Sequence, residues 1–268
     1  MSVIATGLTG TIGKHIPTLV KSLEIDLGST KNLSSKFCFN TDDNFLHMAA
    51  VVGNEQVQSN LKYARKINVE STLLLGRKFL RESSGIFCFA STSHVYSRSN
   101  FRLNEQASTN PTSEYARQKL DAELGLNEIF KFSPERLCII RIFSILDWDM
   151  PNFTLGGAVR KLAEGSQDFT LLHCDDIRDF LTPSSVASAL YRIARDGVIS
   201  GVVNLCGGIG ISVGDAATRM LVSNGFNVPT AKFVKGNSKT PYLVGENHRL
   251  RSFYPDLDLI WRPSLAVR

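Results

Sequence analysis

Residues 2–15, "SVIATGLTGTIGKH", decide the fold. The apolar run Val3–Ala5 is too short for a helix and reads as a buried strand, while Gly7, Gly10 and Gly13 recur at three-residue intervals directly after it. The following stretch, "GKHIPTLVKSL", predicts the first helix. In a strand–turn–helix of this kind the glycines permit a tight turn and close backbone approach to a pyrophosphate, and the helix N-terminus offers amide donors. Thr9, Thr11 and Ile12 complete the turn. Glycine spacing alone is weak, since a purely structural turn has the same composition; the strand–helix context is what points to phosphate. A dinucleotide also calls for an acid near the end of the second strand to hold the ribose hydroxyls. Asp26 follows Gly7 by 19 residues and fits that place, although a solvated loop acid reads the same. Lys31 nearby suits a ribose phosphate instead, so NAD and NADP both stay open.

Outward from this turn, apolar runs alternate with helical patterns. "LEIDL" (23–27), "KFCFN" (36–40), "NFLHMAA" (44–50), "GIFCFAS" (85–91) and "LCIIRIF" (137–143) read as strands. Residues 56–81 and 112–131 read as helices. Continuous apolar strands between helices predict a parallel sheet covered on both faces, an α/β fold. After Phe143 the pattern loosens. "DWDMPNFT" and "EGSQDFTLLHCDD" flank a helix near 156–165, and "RDFLTPSSVASALYRIARDG" contains another with Ser184 or Ser185 as its cap. "GVVNLCGG" returns to strand. The expected organisation is a dinucleotide-binding domain over 1–146, rejoined by 177–206, with a smaller substrate lobe from 147–176 and 207–268.

Composition sets outer bounds. Hydrophobic content of 43% and charged content of 21% are ordinary for a globular protein. No apolar run approaches the roughly 20 residues that cross a bilayer, and the N-terminus carries no secretory pattern. The cysteines, Cys38, Cys88, Cys138, Cys174 and Cys206, are odd in number and form no C-x-x-C, which favours a reduced, cytoplasmic protein. His15, His47, His94, His173 and His248 show no metal-ligand spacing, so no metal is expected. The net charge of +5 lacks the basic clusters of a nucleic-acid binder and suits a pocket for a phosphorylated small molecule.

The chemistry turns on "SEYARQKLDAE", residues 113–123. Tyr115 and Lys119 are four apart and share a helix face. The pair is either an ordinary surface feature or a phenol held beside an ammonium. Upstream, "FASTSHVYS" ends a strand in hydroxyls that include Thr92; "HMAA" and "NVESTLLL" lie earlier. Taken together, the G-x-x-G-x-x-G turn, Thr92 and Tyr115-x-x-x-Lys119 resemble the extended short-chain dehydrogenase/reductase family, also called the NAD-dependent epimerase/dehydratase family. The resemblance runs over nearly the whole chain.

It implies a Rossmann-type doubly wound parallel sheet with a small C-terminal substrate-binding lobe, NAD or NADP as cofactor and a nucleotide-diphosphate sugar as substrate. Tyr115 would be the general acid/base, Lys119 its modulator and a ribose contact, and Thr92 the hydrogen-bonding partner of the reacting oxygen. A phenol near pKa 10 is a poor base at pH 7, so the ammonium and an oxidised nicotinamide must stabilise its phenolate. Asn68 matches the asparagine that supports this group; His47, Ala49 and Ala50 match the loop along the cofactor, with His47 structural. Ser93, Ser144, Asn152 and Arg178 fall at substrate positions, and Arg178 suits a diphosphate because its fork of donors binds bidentately. Arg249 or Arg251 would add a second phosphate contact. A homodimer through helices 56–81 and 112–131 is implied as well.

Two departures stand out. The segment between Asp26 and "NFLHMAA" is too short for the family's third strand and helix, leaving Asp42 or Asp43 as the acids near the adenine. Ser93 and His94 stand where the family's dehydratases carry an acidic pair, which disfavours 4,6-dehydration. The expected function is therefore epimerisation or keto-reduction, with a non-catalytic dinucleotide-binding regulator as the alternative.

Overall fold

The computed structural model describes residues 2–28, 37–97, 99–165, 169–236 and 242–263; Lys31 lies outside them. Strands β1 (Val3–Thr6), β2 (Lys21–Ser22), β3 (Asn44–His47), β4 (Phe87–Thr92), β5 (Leu137–Ile142) and β8 (Gly201–Leu205) form a sheet in the order β2-β1-β3-β4-β5-β8. All its pairings are parallel. This is the Rossmann-type α/β arrangement, with the topological switch point between β1 and β3, where such sheets bind ligands at their carboxyl ends.

Alternation along the strands supplies two cores, since successive side chains leave opposite faces. Phe45, Phe87 and Phe89 meet Leu75 and Phe79 of helix α3 (Thr72–Glu82) and Leu126 of helix α4 (Glu114–Ile129) on one face. Leu46, Cys88, Cys138 and Ile140 meet α6 (Pro183–Asp196) and the tail residues Leu257 and Leu259 on the other. The long helix expected over 56–81 is broken into α1 (Asn54–Ser59), α2 (Leu61–Arg65), a π turn (Lys66–Ser71) and α3. α6 is capped by Thr182, not by Ser184 or Ser185: Pro183 takes the first helical position, and the Ser185 N–H donates to the Thr182 hydroxyl.

A second sheet is built from β6 (Ser144–Ile145), β7 (Ile177–Leu181), β9 (Gly210–Ser212) and β10 (Tyr242–Leu243), with β7 pairing to all three others. Helices α5 (Leu155–Ala163) and α7 (Val213–Ser223) pack with it around Leu146, Trp148, Phe180 and Trp261. A short α8 (His248–Phe253) anchors the tail to β8.

The dinucleotide edge differs from expectation. After the glycine turn there is only a three-residue 3-10 turn, Gly13–His15. Ile16, which precedes Pro17, is extended, because a proline ring excludes the helical region for the residue before it. The chain instead turns at Pro17 and enters β2, so "LEIDL" and the described part of "KFCFN" are irregular.

Candidate active site

The glycine turn is built by contacts that no side chain would survive. Gly7 has φ +78°, and a Cβ there would lie 2.8 Å from the Ala49 backbone nitrogen. A Cβ on Gly13 would stand 2.1 Å from the Gly7 carbonyl oxygen. Thr9 and Gly10 form the exposed rim, Thr11 and Ile12 are half-buried, and Ile12 packs onto the core. The cradle therefore fits a pyrophosphate at the switch point. The helix N-terminus that was to share its charge is missing, so backbone amides of the turn must act without a macrodipole. Asp26 is exposed and its carboxylate accepts the Gly28 N–H at 2.9 Å. Asp43 is buried and bound to Ser2 and Asn40, whereas Asp42 is exposed.

His47 locks this turn to the rest of the site. Its ring nitrogens lie 2.7 Å from the Thr6 hydroxyl and 2.9 Å from the Thr72 hydroxyl. Thr72 donates its proton to the Asn68 carbonyl, so His47 Nε2 carries the hydrogen and Nδ1 accepts from Thr6. Thr6 in turn accepts the Ala49 N–H. Burial, and secondarily the Lys119 charge, draws the His47 pKa down to about 3, which keeps the ring neutral. Asn68 lies within the π turn, a deformation that helices tend to carry at functional positions. Its amide clasps the Val51 backbone on both sides and donates to Gln118 Oε1 at 2.9 Å. Ala49 is half-buried beside this loop, as is Ala50.

Helix α4 carries Tyr115 and Lys119. Ser113 caps it by accepting the Ala116 N–H, and the helix packs on β4 and on the turn Ser93–Val95 that follows Thr92. Lys119 is 2% exposed, with Nζ 4.0 Å above the Phe89 ring. Burial pulls its pKa down to about 7 against the opposing effect of Glu123. Burial pushes Tyr115 up to about 12. The resemblance implies a phenol whose pKa is lowered by Lys119 and an oxidised nicotinamide; in the folded chain, with Lys119 in place, burial instead raises it. Thr92 is buried and its hydroxyl accepts the His94 N–H at 3.3 Å, which leaves its own proton free to be donated.

On the substrate side, Ser93 and Ser144 have buried hydroxyl oxygens without partners among the described residues. Arg178 pairs with Asp176 at 3.1 Å, and one oxygen of Asp176 is buried without a partner. His94 is open to solvent on one side yet hemmed in by neighbouring atoms; burial and then the Arg178 charge draw its pKa down to about 4. The structure thus puts His94 near Arg178. Asn152 accepts from Arg160 Nη2 at 2.9 Å, so this loop holds an arginine that the sequence reading passed over. Arg249 and Arg251 are committed to backbone carbonyls, of Ser200 and of Pro255 and Leu257. Glu123, also passed over, lies one helical turn beyond Lys119, a spacing visible in the sequence.

Comparison with known proteins agrees with this fold. The sequence pattern of the NAD dependent epimerase/dehydratase family matches residues 3–206. The GDP-6-deoxy-D-talose 4-dehydrogenase of Aggregatibacter actinomycetemcomitans is 24% identical over 230 residues, 80% of this chain and 76% of that protein. Among solved structures, the UDP-Glc/GlcNAc 4-epimerase from Campylobacter jejuni superposes with a TM-score of 0.80 at 20% identity, covering 97% of this chain and 94% of that one. "RMD from Pseudomonas aeruginosa complexed with NADPH" gives 0.79 at 22% identity, covering 99% and 95%.

Proposed function

The chain belongs to the NAD dependent epimerase/dehydratase family, and from that premise we propose that it moves a hydride at a carbinol carbon of a nucleotide-diphosphate sugar, as an epimerase or a keto-reductase. The observation that carries this reading is Lys119, buried over Phe89 one helical turn from Tyr115 with its pKa drawn to about 7. Bound NAD or NADP would supply the hydride acceptor or donor, held by the turn of Gly7, Thr9, Gly10, Thr11, Ile12 and Gly13, by Ala49 and Ala50, by Asp26, and by Lys119 at the nicotinamide end.

Tyr115 takes the proton from, or gives it to, the sugar oxygen. A phenol at about 12 costs about 7 kcal/mol to ionise at pH 7, at 1.4 kcal/mol per pKa step. Lys119 is already in place at that value, so the lowering must come from an oxidised nicotinamide bound beside the phenol, a neighbouring charge returning roughly one to three of those steps. Thr92 donates to the same oxygen and orients it. Asn68 fixes the 49–53 loop against Gln118, keeping cofactor and catalytic helix in register. Arg178, Asn152, Ser144 and Ser93 receive the nucleotide sugar; Arg178 binds a phosphate on the side of its guanidinium that Asp176 leaves open. Ser93 and His94 offer no carboxylate, which disfavours dehydration. The exposed Leu61, Leu74 and Leu124 on the outer helices support a homodimer through that layer, and the protein is read as cytoplasmic.

A non-catalytic dinucleotide-binding regulator is the second reading, favoured by the missing helix at the glycine turn. Mass spectrometry of small molecules released on denaturing freshly purified protein tests the first. Stoichiometric NAD(H) supports an epimerase that recycles its cofactor, and an empty protein that binds NADPH or NADH supports a reductase. Failure to retain or bind either dinucleotide overturns the assignment.

A further inference from the structure

Between the helix that carries Lys119 and the strand β5 beneath it lies a pair of charges that hydride transfer does not itself use. Glu123 is 2% exposed and Arg141 6% exposed. Arg141 Nε sits 3.2 Å from both carboxylate oxygens and Nη2 2.7 Å from one. Ser91, the register partner of Arg141 across β4 and β5, donates to the same carboxylate. The far side of Arg141 rests 4.6 Å over the Tyr96 ring, whose hydroxyl donates to Asn204 at 2.6 Å. Burying such a pair contributes little to stability on balance, because desolvation offsets the attraction. Its presence one helical turn from Lys119 asks for another reason.

We infer that the Glu123–Arg141 pair is a positioning device for Lys119, holding an anchored and partly neutralised carboxylate near the ammonium so that Lys119 can carry or release its charge during the reaction. The inference rests on the reading of Lys119 given above. Ser91 and Arg141 occupy the carboxylate, and Lys119 Nζ lies instead over Phe89. The carboxylate therefore acts on the ammonium through its charge, leaving the ammonium available to Tyr115. Burial alone would leave Lys119 neutral, and a free Glu123 would pin it as a closed salt bridge. The compensated carboxylate gives the intermediate result, consistent with Glu123 opposing the burial effect on Lys119. The groups around Lys119 are Tyr115 and Glu123 from its own helix, neutral His47 from β3, Phe89 from β4 and Arg141 from β5.

The test is an NMR titration of 13C-lysine-labelled full-length protein, without and with added NAD, with the Lys119 signal assigned by its loss in Lys119→Met. Glu123→Gln should move the Lys119 midpoint down by about one pH unit or more, the scale for losing a nearby opposite charge. Arg141→Gln should move it up, and Arg141→Lys should leave it near the original value. The double variant Glu123→Gln/Arg141→Gln, which buries no lone charge, should fall between wild type and Glu123→Gln, and it carries the test if the single variants do not fold. An unchanged midpoint in variants that melt like folded protein overturns the inference, as does movement in the same direction for both single neutral variants. Turnover separates the two readings. If the midpoints move as stated while Lys119→Met keeps full activity, the pair still tunes Lys119 but the hydride-transfer assignment falls. If Lys119 is essential and its midpoint ignores the pair, only the present inference falls.

Discussion

The two halves of the main sheet keep their chemistry in different ways. In the half that carries Tyr115, β4, α4 and β5 form an unabridged unit in which Thr92, Lys119, Glu123 and Arg141 are buried, with Glu123 and Arg141 joined by charge-assisted bonds and Lys119 held over Phe89. In the dinucleotide half, β1 and β3 hold a glycine turn from which the usual helix has been removed, and short backbone contacts with Ala49 do the positioning. On the function proposed above, a cofactor cradle outlasts its helix when a second strand end closes on it, whereas the acid/base group depends on a whole helix and its supports.

Tyr115→Phe bears on that difference most heavily. Removing the acid/base should lower turnover by about 10²–10⁴-fold while NADH binding, followed by fluorescence, changes little. An active Phe variant would make the intact half a scaffold and favour the regulator reading.

Gly13→Ala attacks the other half. The added methyl would stand 2.1 Å from the Gly7 carbonyl oxygen, a backbone atom that cannot swing aside. The turn must open, at about 3 kcal/mol, the upper range for overpacking, and dinucleotide affinity should fall more than tenfold while the unfolding midpoint drops. Retained affinity would mean that the turn is not the cradle.

What the sequence disclosed follows the same division. Thr92, Tyr115 and Lys119 were legible because one strand end and one helix repeat place them by short-range spacing. The strand runs at 44–50, 85–91 and 137–143 were legible because buried parallel strands are continuously apolar. The first helix was misread because "GKHIPTLVKSL" has helical composition, and the weight of Pro17 on Ile16 was not given to it. The Arg160 contact to Asn152 reaches eight residues back across the start of α5 and the Asp176 contact to Arg178 spans only two, so both are local but rest on loop conformations that no hydrophobic periodicity signals.

His47 joins the halves and makes the comparison pH-dependent. Its folded pKa, about 3, lies below the ordinary 6.5, so the unfolded chain binds the extra proton. Its contribution is fully present above pH 6.5 and is lost as pH falls from there toward 3. His47→Gln cannot titrate, so its unfolding free energy should vary with pH by about 3 kcal/mol less than wild type between pH 6.5 and 4, read by urea denaturation at each pH. Parallel curves for the two proteins would show that another group governs acid sensitivity.

Asp26→Ala makes the smallest and most discriminating change. Asp26 sits at the abridged edge, exposed, with one carboxylate oxygen already accepting the Gly28 N–H. If the carboxylate also holds the adenosine ribose, its loss removes a charge-assisted bond worth about 1.5 kcal/mol, roughly tenfold in NADH affinity, and NADPH, with a phosphate on that ribose, should lose less. Stability should barely move, since the side chain caps only an exposed turn. A tenfold loss confined to NADH would show that the shortened edge still reads the ribose through one residue. Equal affinities in both proteins would assign ribose recognition elsewhere and leave the glycine turn, with Ala49 and Ala50, as the proposed cofactor contacts of the dinucleotide half.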